Sequence, residues 1–307
     1  MFFFFFPRGF LYAMALSFMS MVWSGQSAAT SLAIQEKPEN TVQRLKRKKL
    51  DPTQKKWNAD VQISHTKDRD SRTKTIDTAT VFQGRGGYHY TENLEIGSQV
   101  RFPVYEKRNS WATNAWNTEK RFFALSPYLS YQPFPFLNLF GTGGYERFVY
   151  KIDSFANPGG KLMANIHGKM LYGGVFATLY QNISGFIPSF QSGLLLSTIE
   201  IDAYGINDGR WIPSSSLDRY ILSNSVRLSY GDWGGFVPYI GVSHSYYIRG
   251  FRVSKNDPSS QITYSAGAKI TLLNWRGFQV RVTGDYSYRP SLRQKEQDLQ
   301  LQVQYKF

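Results

Sequence analysis

Any chemistry in this chain has to come from a sparse set of side chains: four histidines, at 65, 89, 167 and 244, together with carboxylates and hydroxyls, and no cysteine. Without cysteine there is no disulfide framework, thiol nucleophile or thiolate metal site. A nucleophile needs a base within hydrogen-bond reach, and Ser243, His244 and Ser245 are adjacent. Neighbouring residues of an extended strand point to opposite faces, so Ser243 and His244 form no catalytic couple. Parity puts His244 on an outer face near a rim, as a girdle residue. Glu200 and Asp202 do share a face, about 7 Å apart at the rise of a strand. An acid beside a base is useful chemistry, but the same Glu-x-Asp spacing marks an ordinary solvated face. No His-Ser-Asn or Asp-His pattern, metal-ligand cluster or phosphate-cradling glycine loop is visible. The sequence therefore implies no enzyme, no cofactor and no metal.

The segments that carry these residues alternate apolar and polar at period two. Trp57, Ala59, Val61 and Ile63 form one apolar row, and Phe82, Gly84, Gly86 and Tyr88 another. Leu94, Ile96, Val100 and Phe102 follow, then Leu195, Ile199 and Ile201, then Tyr220, Leu222, Val226 and Leu228. Faces are ambiguous around Phe140 and Met170. About twelve such segments run from Trp57 to the end, separated alternately by long polar stretches (67–78, 105–120, 152–161, 205–218, 249–260, 290–298) and short turns (91–93, 133–136, 181–187, 231–235, 274–277). Gly86-Gly87, Gly143-Gly144 and Gly173-Gly174 sit inside strands, where missing side chains permit bends or leave interior room.

The last segment is the clearest. Leu299, Leu301, Val303, Tyr305 and Phe307 are apolar, and the residues between them are polar. A strand with a final Phe, an aromatic at the third position from the end and apolar residues at the intervening outward positions resembles the C-terminal insertion signal of Gram-negative outer-membrane β-barrel proteins. Leu301, Val303, Tyr305 and Phe307 carry that resemblance. It implies recognition by the barrel-assembly machinery and an all-β fold, a transmembrane antiparallel β-barrel. Long and short connections in alternation then place both termini in the periplasm. A soluble sandwich also has short strands and polar turns. Segments of about 10 to 13 residues suit a tilted membrane crossing better than the roughly 5 or 6 of soluble sheets.

Composition agrees with this reading. A mean hydropathy of −0.37 argues only against helical spans, because transmembrane strands average a lipid face with a wet one. The 20 Tyr and 23 Phe are enough for two aromatic girdles. Residues 1–29 read as a secretory signal peptide: an apolar run from Phe10 to Trp23 is too short to span a bilayer, and Ser27-Ala28-Ala29 offers a cleavage site. A retained amphipathic anchor is the alternative. Residues 30–56 form a basic periplasmic leader in which eight basic and three acidic residues leave a net +5. It is either a solvated lead-in, an electrostatic attachment to anionic headgroups or a periplasmic partner, or a short helix (41–50) plugging the lumen. Residues 57–307 are the barrel. The formal charge of +14 lies mostly in leader and loops, and the exported address leaves no place for nucleic acid.

If the apolar face meets lipid, the other face lists the lumen: Asp60, Arg85, Glu95, Arg101, Glu200, Asp202, Arg227, Lys269, Arg281, Asp285 and Arg289, with the row Gln300, Gln302 and Gln304. Twelve strands fall between a barrel filled by side chains and one with an open channel. The expectation is a monomeric porin-like channel in the outer membrane of a Gram-negative bacterium, in contact with lipid and lipopolysaccharide, passing small hydrophilic and preferentially anionic solutes. The alternatives are a secretion or surface barrel resembling autotransporter translocators and, third, a barrel enzyme.

Overall fold

A computed structural model describes residues 57–71, 75–110, 116–154, 162–231, 235–249, 260–275 and 278–306. The expected signal peptide (1–29), the expected basic leader (30–56) and Phe307 of the expected insertion signal lie outside them. Twelve long strands close into one antiparallel barrel: β1 (Trp57–Asp70), β2 (Thr75–Thr91), β3 (Leu94–Ser110), β4 (Trp116–Phe134), β5 (Leu137–Ser154), β6 (Leu162–Tyr180), β7 (Phe186–Ile201), β10 (Ser215–Tyr230), β11 (Phe236–Arg249), β12 (Ser260–Trp275), β13 (Phe278–Arg289) and β14 (Gln294–Lys306). Each pairs with its neighbours in the chain, and β1 closes on β14, with Ala59 opposite Tyr305, Val61 opposite Val303 and Ile63 opposite Leu301. Closure removes the two sheet edges that would otherwise expose unpaired backbone groups to lipid. Between β7 and β10 a small hairpin, β8 (Tyr204–Gly205) and β9 (Trp211–Ile212), prolongs the wall.

Side chains alternate cleanly between a buried inner face and an exposed outer one. On β4 the inner row is Thr118, Lys120, Phe122, Ala124, Ser126, Tyr128 and Ser130, and the outer apolar row is Phe123, Leu125, Leu129 and Tyr131, joined by Phe134 past an irregularity in the ladder. From Phe123 to Phe134 the strand rises about 36 Å, or about 28 Å along a barrel axis tilted about 40° from it, close to the ~25 Å apolar band of such barrels. Exposed aromatics crowd the end with the short turns: Trp57, Tyr90, Tyr131, Phe134, Phe136, Phe186 and Trp275.

The expected long stretches are shorter than the sequence suggests. Strands β1 and β2 extend so far that only 71–74 separates them, 111–115 joins β3 to β4, and a 3-10 turn, Pro290–Leu292, leads directly into β14. Beyond the apolar band the strands continue in water, where either face can be polar, so alternation disappears before the ladder does.

Five inward-facing glycines in the strands permit close approach of a ring. Gly97 lies opposite Tyr128, Gly144 opposite Tyr172, Gly168 opposite Phe148, Gly193 opposite Phe176 and Gly267 opposite Tyr239, all on the inner face. In each pair the ring occupies the place a Cβ would take; at Gly144 that Cβ would stand 2.5 Å from Tyr172 Cζ. Of the glycine pairs at which the sequence suggests bends or interior room, the inward Gly87, Gly144 and Gly174 are crowded by Glu95 and Tyr128, by Tyr172 and by Phe176, whereas the outward Gly86, Gly143 and Gly173 have open space or only ordinary backbone contact beside them.

Two faces need correction. Leu195, Ile199 and Ile201, expected outward, point inward, and Leu195 and Ile199 are 6% and 1% exposed. Glu200, expected in the lumen, is on the outer face opposite Lys169, and Asp202 is exposed just past the end of β7. The cause is an apolar inner cluster of Phe122, Phe148, Tyr150, Ile166, Met170 and Ile199, with Ile206 of the hairpin bridged to Ala164 and packed on it. At this height the outer face has left the lipid and is charged, while the inner face is oily.

Candidate functional site

The inner face holds nearly all the buried charge, and strand register decides which charges meet. On the side toward the long connections, Glu146 of β5 lies between two cations. Lys120 Nζ of β4 is 3.0 Å from its Oε1, and Arg101 Nη2 of β3 is 3.5 Å from its Oε2. All three are buried: Glu146 is 2% exposed, Arg101 3% and Lys120 6%. Lys120 also sits over the rings of Phe122 (4.5 Å) and Tyr150 (5.7 Å), and Arg101 over Phe122 (5.7 Å), so the cations are solvated by aromatic faces as well as by the carboxylate.

A second cluster lies toward the turns. Arg85 donates to Glu95 at 3.0 Å and stacks over Tyr128 at 4.2 Å, while the Tyr128 hydroxyl donates to the same carboxylate oxygen at 2.6 Å. His89 is 3.5 Å from the other oxygen of Glu95. Asp60 is in register with Arg85 on the neighbouring strand. Across the barrel, Tyr239 donates to Asp285 at 2.9 Å, and Arg227 lies over the Tyr239 ring at 4.4 Å. Lys269 and Arg281 are buried on the inner faces of β12 and β13, and Arg281 is opposite Thr271. Nearer the long connections Arg289 pairs with Glu296 at 2.7 Å, Asp298 accepts from Thr66 at 3.0 Å, and Gln294 donates to Asp68.

The structure thus places Asp60, Arg85, Glu95, Arg101, Arg227, Lys269, Arg281, Asp285 and Arg289 on the inner face, with Gln300, Gln302 and Gln304 in one row beside them. Leu301, Val303 and Tyr305 are on the outer face. Sequence reasoning misses Glu146, because alternation assigns no face to that part of β5, and Lys120, Asp68, Glu296 and Asp298, because they fall in the stretches that read as loops. Their parity was readable: Glu296 and Asp298 continue the row of Gln300, and Asp68 continues that of Asp60.

Of the histidines, His65, His167 and His244 are on the outer face. Glu200 is engaged by Lys169 at 2.8 Å rather than facing Asp202 across a site. In the hairpin the Arg210 side chain donates to Asp208 and holds its carboxyl below the usual range, while burial pushes the Tyr204 hydroxyl up. Among the described residues no group of three or more His, Asp or Glu is placed to hold a metal ion.

A closed twelve-stranded barrel with an apolar band outside and paired charges inside defines a class, and the comparisons agree. Residues 50–194 match the family model of the outer membrane protein beta-barrel domain. The chain is an outer-membrane β-barrel protein, located in the outer membrane of a Gram-negative bacterium. Its fold is similar to the translocator domain of the autotransporter NalP from Neisseria meningitidis, with a TM-score of 0.68 at 14% identity over 92% of this chain and 98% of that one. It is also similar to the beta domain of the Bordetella autotransporter BrkA, with a TM-score of 0.66 at 11% identity over 82% and 100%. The transport unit of the autotransporter AIDA-I from Escherichia coli matches with a TM-score of 0.55 at 12% identity over 88% and 97%. At these identities the likeness shows the fold alone. No curated protein matches the chain.

Proposed function

We propose that the barrel is a narrow, monomeric conduit for small hydrophilic solutes, closed at rest by its own inner side chains and weakly selective for anions. The observation that carries this reading is the inner face. Apart from Asp68, Arg289, Glu296 and Asp298 near the long connections, Arg85, Arg101, Lys120, Arg227, Lys269 and Arg281 stand there against Asp60, Glu95, Glu146 and Asp285. Fixed charges in a narrow, low-dielectric bore set which ions enter it. Because Arg101, Glu146, Lys269 and Arg281 are buried, passage requires these side chains to move aside, and unit conductance is small. Nothing in this reading requires catalysis.

The second reading is a translocator that passes an extended polypeptide. It is favoured by the likeness to two whole autotransporter barrels, each matched over nearly its full length. Planar-bilayer recording separates the two. A conduit gives small, anion-selective steps in the full-length exported chain, and Arg281→Gln reduces the selectivity. A translocator whose leader occupies the bore is silent until residues 30–56 are removed, and then conducts in large steps. Silence in both forms, with native barrel mobility retained, rejects both readings.

A further inference from the structure

Arg219 on β10 is an inner-face cation of a different kind. It is 6% exposed, and the neighbours that share its face, Ile221 and Ser223, are buried with it. Arg101 and Lys120 share the carboxylate of Glu146. Arg219 has no carboxylate partner among the described residues, and its Nη1 is buried without a hydrogen bond. The groups that act on its charge are two phenols, Tyr247 of β11 and Tyr150 of β5. Tyr247 in turn donates to Gln261 Oε1 at 3.2 Å, and Gln261 Nε2 is buried without an acceptor. Both of the unsatisfied atoms around Tyr247 are therefore donors. Arg289, the other cation near this phenol, is already engaged by Glu296 at 2.7 Å.

Strand register puts the guanidinium at a seam between two oily surfaces. Ser197 of β7 is directly opposite Arg219. On one side of this polar pair Leu217 is opposite Ile199, and on the other Ile221 is opposite Leu195. Ile199 belongs to the apolar cluster of Phe148, Tyr150 and Met170, against which Leu217 packs. Leu195 and Ile221 belong to a second cluster with Phe176, against which Tyr247 packs. A buried charge without a counter-ion is costly, and an anion that pairs with it removes that cost. Here the rest of such an anion meets hydrocarbon and aromatic rings.

We infer that Arg219 binds a small monocarboxylate with an apolar or aromatic body, the carboxylate lying on the guanidinium and the body on the two clusters that flank it. The planar fork of an arginine matches the two oxygens of a carboxylate. One unengaged guanidinium balances a single negative charge, and a phosphate dianion would keep an unpaired charge in an oily seam. The inference names the solute class of the conduit reading and rests on that reading.

The test uses the full-length exported protein in detergent with 4-fluorobenzoate as probe, its binding followed by fluorine NMR line broadening. The wild type binds it saturably, does not bind the neutral isostere 4-fluorobenzamide, and does not release it to inorganic phosphate. Arg219→Gln weakens binding about tenfold or more, the loss of a charge-assisted hydrogen bond. Arg219→Lys retains part of it, because the charge stays while the planar fork is lost. Lys169→Gln, on the outer face, binds as the wild type does, and heat-modifiable mobility reports that each variant is folded. Equal binding by Arg219→Gln and the wild type, or no saturable binding, overturns the site. Equal binding of the benzamide overturns the role of the charge, and displacement by phosphate overturns the choice of a carboxylate. Planar-bilayer recording judges the conduit separately. A silent barrel that still binds fluorobenzoate through Arg219 keeps the site and rejects conduction, whereas a conducting barrel indifferent to Arg219→Gln keeps conduction and rejects the site.

Discussion

Removing the Glu146 carboxylate is the sharpest test of the inner charge network. Glu146→Gln keeps the shape of the side chain but leaves Lys120 Nζ, 3.0 Å away, and Arg101 Nη2, 3.5 Å away, without their common anion. Both cations are almost fully buried, so water cannot replace what is lost. Breaking a buried pair in this way costs about 3–5 kcal/mol, most of it from the charge left unpaired. The aromatic faces of Phe122 and Tyr150 recover part of that, at roughly 0.5–2 kcal/mol for a cation over a ring, which puts the expectation near the lower end, about 3 kcal/mol. The exposed Lys169–Glu200 pair supplies the internal control: its side chains are 47% and 43% exposed, so solvent screens the pair and Glu200→Gln costs far less. Urea unfolding of the protein refolded into lipid vesicles, followed by tryptophan fluorescence and by heat-modifiable mobility, measures both. A loss below about 1 kcal/mol for Glu146→Gln, or equal losses for the two variants, refutes the argument that the inner cluster is desolvated and its charges mutually dependent. The triple replacement Arg101→Met, Lys120→Met, Glu146→Leu recovers most of the stability, because no member of this cluster is then left charged.

The remaining expectations concern packing, assembly and orientation. Gly168→Ala places a Cβ 2.5 Å from Phe148 Cζ and 2.6 Å from the Glu200 carbonyl oxygen, so urea unfolding records a loss of about 1–3 kcal/mol; adding Phe148→Leu recovers only the part due to the ring. Deleting Phe307 leaves export intact and lowers recovery in the outer membrane, and unchanged recovery and mobility would count against the terminal insertion signal. A cysteine at Ser71, on a connection at the end opposite the chain termini, labels from intact cells, and one at Asn93, in a turn on the terminal side, does not; the reverse result inverts the barrel.

Much of the barrel is legible because lipid imposes one rule on every strand that crosses it. The rows Trp57 to Ile63 and Leu299 to Tyr305 contain an apolar residue at each outward position, and those two strands close the sheet in the register that pairs the rows. The same rule finds Arg85, Glu95, Arg101, Lys269 and Arg281, which alternate with lipid-facing residues. It fails where lipid is absent. Beyond the band, β1, β2 and β14 keep their hydrogen bonds but not their pattern, so Asp68, Glu296 and Asp298 look like loop residues. The meeting of Glu146 with Lys120 and Arg101 is a further step removed from pattern. It depends on cross-strand register, which is set by turn lengths and by the irregularity between Arg101 and Lys107 where β3 meets β4.

The error on β7 shows which information a strand face needs. Leu194, Leu195 and Leu196 are consecutive, so alternation in that region supports either face. Leu195, Ile199 and Ile201 form an apolar row as good as any lipid-facing one, and Glu200 then appears to point into water inside the barrel. Starting instead from the short turn, Phe186 and Phe190 are aromatic and even-numbered, and they continue through Leu194 and Leu196 to Thr198 and Glu200. Aromatics cluster at the membrane interface on the lipid side, so that row faces outward, and its polar end marks the height at which the strand leaves the membrane. The odd row must then be interior even though it is apolar. An apolar inner row has a structural partner in this chain: Phe148, Tyr150, Ile166 and Met170 on β5 and β6 pack on Ile199, and Ile206 of the hairpin covers them. The inner wall of this barrel is therefore of two kinds. Strands β4–β7 build an oily, packed half toward the long connections, while β1–β3 and β10–β14 carry most of the charge. Any bore that opens must do so along the charged half, where Arg227, Lys269, Arg281 and Asp285 stand, which makes Arg281 the residue whose replacement should most directly change ion preference.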